Sequence, residues 1–177
     1  MKEIDWVFGY GSLLWRPGFE PLETRRASLA GWARRFWQAS HDHRGTPQAP
    51  GRVVTLVPMT GSGCEGLAHR LPDAGPERER VLAMLDHRER DGYRRRTVEP
   101  RTADGRTLQA VTWVADPRHA SWIGSAGDET LIHTLEHAVG QSGRNRDYLL
   151  DLASTLSRLG IDDPYVSALA DAIRLPD

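Results

Sequence analysis

Short apolar runs occupy the first two thirds of the chain, and apolar residues at helical spacing occupy the last third. Trp6-Val7-Phe8 reads as a buried strand that breaks at Gly9 into a glycine-punctuated loop through Trp15. A second strand is predicted over 31–40, where Trp32, Phe36 and Trp37 supply bulky surface, followed by a rigid polar loop at 41–51. Arg52 to Val57 reads as a strand, with a turn at 60–63 and a hairpin partner at 66–71. Pro76, Glu77 and Glu79 open a helix expected to run to about Arg90 and stop at Gly92, with Val81, Leu82 and Leu85 on one face. Segments 93–101 and 106–114 flank Asp104-Gly105, a favoured hairpin turn. Helices are predicted over 128–139, 146–158 and 164–174, the first burying Leu131, Ile132, Leu135 and Val139. Strands with one inserted helix, then helices alone, argue for an α+β fold rather than a doubly wound sheet. The expected architecture is a small antiparallel or mixed β-barrel with helices outside, one domain over 1–177.

Composition narrows the chemistry more than it shapes the fold. The chain has 177 residues, 39% hydrophobic and 27% charged, enough to bury a sizeable core. No apolar run approaches the ~20 residues of a membrane helix, and Met1-Lys2-Glu3-Ile4-Asp5 lacks a signal-peptide pattern, so no membrane partner and a cytoplasmic location are expected. A net charge of -1 gives no general phosphate-backbone binder, and nucleic acid is not expected as a partner. One cysteine, Cys64, excludes an intrachain disulfide, a Cys-x-x-Cys pair and a cysteine-rich zinc site. Lys2 is the one lysine among 23 basic residues, which removes Schiff-base and phosphate-loop lysine chemistry from the body of the chain.

Several motifs have plainer explanations. Gly61-Ser62-Gly63-Cys64-Glu65-Gly66 matches G-x-G-x-x-G, but no helix can open on it before Pro72, so it reads as a turn. His133-Thr134-Leu135-Glu136-His137 matches an inverted zinc-protease pattern, yet the apolar face of that helix puts both histidines on the solvated side. His41 and His43 lie in a polar loop without an evident third ligand, and no metal site is assigned. Ser12 follows a strand on a glycine turn but lacks the second glycine of a nucleophile elbow. A turn offering its N–H groups and hydroxyl to a ligand fits that segment better.

Glu89 is the most informative residue. It lies four positions after Leu85, seven after Leu82 and eight after Val81, at the inner end of the apolar stripe. Burial and the negative helix end both disfavour the ionised carboxylate, and a carboxyl poised near neutrality suits general acid/base chemistry. The plain alternative is a buried ion pair with Arg52, Arg94 or Arg95.

Four segments carry a resemblance to a family. They are Val7 to Trp15, Asp42 to Pro47 with Pro50 to Leu56, Leu85 to Tyr93 (Leu-Asp-His-Arg-Glu-Arg-Asp-Gly-Tyr), and Ser142 to Leu149. In order and spacing they resemble the ChaC-like glutathione-specific γ-glutamylcyclotransferases. The resemblance implies a mixed β-barrel with surrounding helices, no cofactor, and conversion of glutathione to 5-oxoproline and Cys-Gly. It places the acid/base role on Glu89 and γ-glutamyl binding on Gly9, Tyr10, Gly11, Ser12, Leu13 and Leu14. Tyr148 would reach the substrate or Glu89, and Arg44 or Arg52 is a candidate clamp for a substrate carboxylate. Ala39, His41, Glu65, His69 and the stretch 122–127 depart from the family pattern and leave the strictness for glutathione open. The alternatives are a cyclotransferase of other γ-glutamyl peptides or amines, and a γ-glutamyl binding module without turnover. Oligomeric state is not legible.

Overall fold

The computed structural model describes residues 4–174; Lys2 and the start of the segment on which the leader reading rests lie outside them. The strands are β1 (Trp6–Gly9), β2 (Thr24–Ser40), β3 (Gly51–Arg70), β4 (Tyr93–Val98), β5 (Arg101–Thr102), β6 (Ala110–Ala115), β7 (Val139–Gly140) and β8 (Gly143–Arg144). The helices are α1 (Pro76–Arg88), α2 (Asp128–His137), α3 (Asn145–Arg158) and α4 (Pro164–Arg174), with a short 3-10 helix at Ser12–Leu14. The first six strands form one mixed sheet in the order β4-β6-β1-β3-β2-β5, and β7 pairs with β8. The α+β class expected from the order of elements is therefore what the chain adopts.

The chain divides into two compact units, one from the residues up to Arg34 with Leu56–Asp116, the other from Arg35–Thr55 with the residues from Pro117 onward. In the first unit β1 runs antiparallel to β3, with Phe8 opposite Ala68 and Gly9 opposite Leu67. It runs parallel to β6. The predicted hairpin around Asp104-Gly105 forms, with Tyr93 opposite Ala115 and Val98 opposite Ala110. At its far end Thr102 N–H donates to the Arg106 carbonyl (2.9 Å), and β5 departs to pair with β2 at Ala27 and Ser28. Val7, Leu13, Leu71, Leu85, Val111 and Trp113 form a core cluster, against which Val81 and Leu82 of α1 pack. The stripe predicted for α1 thus faces this core, and its terminal charges, Glu77 and Glu79 first and His87 and Arg88 last, complement the helix dipole.

Three expectations need correction. Residues 51–70 form a single strand of 20 residues instead of a hairpin turning at 60–63. The segment 67–70 finds its partner in β1, and Gly61 takes its left-handed φ of 79° inside the strand, where a glycine bends a long strand without ending it. α1 stops at Arg88, with Glu89 as its C-cap, short of the expected Arg90. α2 stops at His137, and Val139 is 53% exposed in β7, so the buried face there is Leu131 and Leu135 with Ile132 half-buried.

In the second unit α3 buries Leu149, Leu152 and Leu156, α4 buries Val166, Leu169 and Ile173, and the two helices pack together. Among the described residues, no helix is long and apolar enough to cross a membrane.

Candidate functional site

The first unit holds Glu89 and the turn from Gly9 to Leu14. β1 ends at Gly9, where a Cβ would stand 2.9 Å from the Leu13 Cβ, so the chain folds back on itself tightly enough to require glycine. The turn is closed by bonds from Leu14 N–H to the Gly11 carbonyl (2.9 Å) and from Arg16 N–H to the Ser12 carbonyl (2.8 Å). Neither closing bond uses the N–H groups of Ser12 and Leu13, which lie at the start of the 3-10 helix. Leu13 and Leu14 bury their side chains, so what they offer a ligand is backbone. Tyr10 is buried too, and its hydroxyl donates to the Trp113 carbonyl (2.6 Å). The buried Arg34 holds the Tyr10 carbonyl through Nε (2.6 Å) and the Glu65 carbonyl through Nη2 (2.7 Å). His69, on β3, sits behind the turn: its Nε2 lies 2.9 Å from the Leu13 carbonyl and its Nδ1 3.1 Å from Thr24 Oγ1. Burial lowers the His69 pKa, so the neutral ring donates from Nε2 and accepts at Nδ1.

Glu89 leaves the helical conformation at the end of α1, where its N–H still reaches the Leu85 carbonyl (3.0 Å). Its side chain is only 19% exposed, and burial raises the carboxyl pKa while the neighbouring Arg88 opposes that rise. Arg88 Nε stands 3.4 Å from Glu89 Oε1. The same guanidinium donates from Nη2 to Ser12 Oγ (2.7 Å) and from Nη1 to the Arg16 carbonyl (2.6 Å). Arg88 therefore joins the carboxylate to the turn. The ion-pair alternative for Glu89 named Arg52, Arg94 and Arg95, and each is engaged elsewhere. Arg94 pairs with Asp116 (2.6 Å), Arg95 with Asp86 (3.3 Å), and Arg52 Nη1 donates to the carbonyls of Phe36 (3.0 Å) and Gly124 (2.8 Å). Position 88 was readable as a basic residue next to Glu89, but α-helical spacing turns neighbours about 100° apart and gave no reason to pair them. Beside Ser12 Oγ stands a guanidinium, which cannot take a proton from the hydroxyl as a nucleophile would need.

The second unit holds Arg44 and Tyr148. Tyr148, on α3, is buried with Phe36 edge-on to its ring at 6.1 Å, and the Arg44 guanidinium lies over the ring at 5.6 Å. Arg44 Nη1 also donates to the Arg144 carbonyl (3.2 Å). Beneath them the side chain of Asn145 makes two bonds to the backbone of Arg52, accepting its N–H at 2.7 Å and donating to its carbonyl at 2.8 Å. Asn145 lay in a quoted segment without a role, because an amide's partners cannot be read from its neighbours in sequence. His43 Nδ1 lies 2.8 Å from Ser142 Oγ. On α2 the exposed His133 and His137 rings stack at 4.3 Å, and His137 Nδ1 lies 2.9 Å from the His133 carbonyl. Among the described residues, no three His, Cys, Asp or Glu side chains are grouped to hold a metal ion. The four segments thus fall into two pairs, 7–15 with 85–93 in the first unit and, up to Thr55, 42–55 with 142–149 in the second.

Residues 5–175 match the family described as ChaC-like protein. The chain is 37% identical over 175 residues to human glutathione-specific γ-glutamylcyclotransferase 1, covering 95% of this chain and 78% of the relative. It is 36% identical over 176 residues to γ-glutamylcyclotransferase 2-3 of Arabidopsis thaliana, covering 96% and 88%. The crystal structure of a γ-glutamyl cyclotransferase specific to glutathione from yeast superposes with a TM-score of 0.89 at 26% identity, covering 96% of this chain and 95% of that one. On its sequence and its fold alike, this chain belongs to the ChaC-like family.

Proposed function

We propose that this chain is a glutathione-specific γ-glutamylcyclotransferase that cyclises the γ-glutamyl group and releases 5-oxoproline and Cys-Gly. The observation that carries the reading is a half-buried carboxylate, Glu89, tied through one arginine to a glycine turn. The names of the relatives support the substrate.

The reaction splits one molecule into two without water or any co-reactant. The substrate's α-ammonium loses a proton to the Glu89 carboxylate, whose raised pKa makes it a stronger base than an exposed glutamate. The freed amine attacks the γ-carbonyl carbon, forming the C–N bond of a five-membered ring, and negative charge builds on the carbonyl oxygen. The Ser12 and Leu13 N–H groups are the donors we assign to that oxygen. The C–N bond to cysteine then breaks. Over the cycle the attacking nitrogen gives up two protons and the leaving nitrogen takes up two, so Glu89 ends as the carboxylate it began. Nucleophile and electrophile share one molecule, and the chief demand on the protein is to hold a folded substrate, which is a proximity effect. Gly9, Tyr10, Gly11 and Leu14 shape the turn; Arg44 and Tyr148 are assigned to substrate binding, with glutathione's carboxylates as the natural partner of the Arg44 guanidinium.

Two structural readings accompany the function. β4 and β5 stand at opposite edges of the sheet order, yet only Glu99 and Pro100 separate Val98 from Arg101. Three residue steps span at most about 11 Å, which supports a sheet that curls toward a barrel. The family match runs through both compact units and supports a single domain.

The test is incubation of purified protein with glutathione and mass detection of 5-oxoproline with Cys-Gly, beside N-acetylated glutathione as substrate. Acetylation delocalises the nitrogen lone pair into a new amide and leaves the scissile amide untouched, so the blocked peptide should be inert. Release of N-acetylglutamate at a comparable rate would establish a hydrolase instead.

A further inference from the structure

We propose that Arg88 is a positioning residue of this site, a three-point brace that holds the Gly9–Leu14 turn in register with the Glu89 carboxylate. The proposal rests on the cyclotransferase reading above. It starts from where the guanidinium's donors go. Nη2 takes the Ser12 hydroxyl at 2.7 Å, Nη1 takes the Arg16 carbonyl at 2.6 Å, and Nε faces Glu89 Oε1 at 3.4 Å. Ser12 and Arg16 are also the two ends of the bond that closes the turn, so Arg88 clasps that turn from outside. The chain beyond it follows the same clasp: a Cβ on Gly18 would stand 3.5 Å from Arg88 Nη1 and 3.2 Å from Met84 Cε, both side chains of α1.

With each terminal nitrogen bonded to the turn segment and Nε facing Glu89, Arg88 is better placed to set distances than to clamp substrate. A planar fork reaches three partners at fixed angles, which a lysine ammonium cannot reproduce. The last turn of α1 is also where a cation is favoured. Cyclisation needs the oxyanion donors of the turn and the base at once, on opposite sides of one small folded substrate. Slack between them removes the near-attack geometry without removing either group.

Arg88 acts on the carboxylate in a second way, through charge. It is the cation acting against burial at Glu89. On α1 itself Asp86 is bonded to Trp113 and Arg95; from the other elements, Tyr10 on the turn is bonded to Trp113, His69 on β3 to Leu13 and Thr24, and Asp116 after β6 to Arg94. Loss of the Arg88 charge therefore leaves burial unopposed and moves the Glu89 titration upward.

The experiment compares parent, Arg88→Met, Arg88→Lys and Ser12→Ala by thermal melting, by kcat and KM on glutathione, and by the pH dependence of kcat. Arg88→Met is expected to lose about 10²-fold in kcat, the scale set by misplacement of reacting groups, and to shift the acid limb of the profile to higher pH. Arg88→Lys and Ser12→Ala are expected to lose kcat while keeping the parental limb, since the positive charge survives in both. A residue that merely stabilises the fold would lower the melting point and leave the limb where it is. If Arg88→Met does not fold, the Lys and Ala variants carry the test, and parental kcat in both overturns the brace. A folded Arg88→Met with kcat within about threefold of the parent and an unmoved limb also overturns it. A parent silent on glutathione and on other γ-glutamyl peptides overturns the cyclotransferase reading and, with it, the brace.

Discussion

The side chain of Asn145 pairs with the backbone of Arg52 much as a neighbouring strand would, accepting the N–H at 2.7 Å and donating to the carbonyl at 2.8 Å, with no surface of its own left exposed. It ties the first residue of α3 to the start of β3, and a Cβ on the adjacent Gly51 would come within 2.7 Å of Asn145 Oδ1. Asn145→Ala leaves two buried backbone groups without partners, each worth about 1–3 kcal/mol. We expect a loss of at least about 2 kcal/mol in chemical denaturation. A variant as stable as the parent would mean that water or rearrangement replaces both bonds.

Glu89→Gln keeps the shape of the side chain and removes its basicity, so turnover should fall by about 10²–10⁴-fold with substrate still bound. Stability should move the other way. The folded carboxyl titrates above its ordinary value of 4.5, so between that pH and its own pKa the native state holds a proton the unfolded chain has released. Stability therefore declines as pH rises through this window and stays lower above it. The amide has no such loss, so Glu89→Gln should melt higher than the parent at neutral pH and show no advantage well below pH 4.5. A neutral-pH melting point below the parent's would contradict the burial assigned to this carboxylate.

Gly66 stands against the root of the turn. A Cβ there would lie 2.2 Å from the Gly9 carbonyl oxygen and 3.0 Å from Phe8 Cζ. β1 is locked in register on both sides, so Gly66→Ala must push Gly9 forward. A stability loss of about 1–3 kcal/mol is expected, as for other overpacked cores, together with reduced kcat. Parental kinetics in a folded Gly66→Ala would show that the turn tolerates displacement.

His69 supplies a pH-dependent hold on the same turn. Its folded pKa lies below the ordinary 6.5, so as pH falls through that value the unfolded chain takes up a proton the native state resists. Stability falls accordingly on the acid side, where the unfolded state binds more protons. His69→Gln can still donate to the Leu13 carbonyl and does not titrate. Denaturation midpoints from pH 7 to pH 5 should drop less steeply for the variant, and equal slopes would remove His69 as their source.

What the sequence determined by itself is local. Periodicity placed the α1 stripe against a core and put Glu89 at its inner end, and Asp104-Gly105 turned the β4–β6 hairpin, because faces and turns depend on residues a few positions apart. Partner choice was decided only in the folded chain. Thr60 to Gly63 looks like a turn in any local reading, yet β3 bends at Gly61 and runs on, because its sheet neighbours are the separate strands β1 and β2. The arginines near Glu89 were interchangeable in sequence. Arg88 is the one whose stem starts at the helix end nearest the turn, while Arg94 and Arg95 on β4 are drawn to Asp116 and Asp86. Which charge meets which is settled by where the sheet and helix bring them, and short-range spacing contains no record of that.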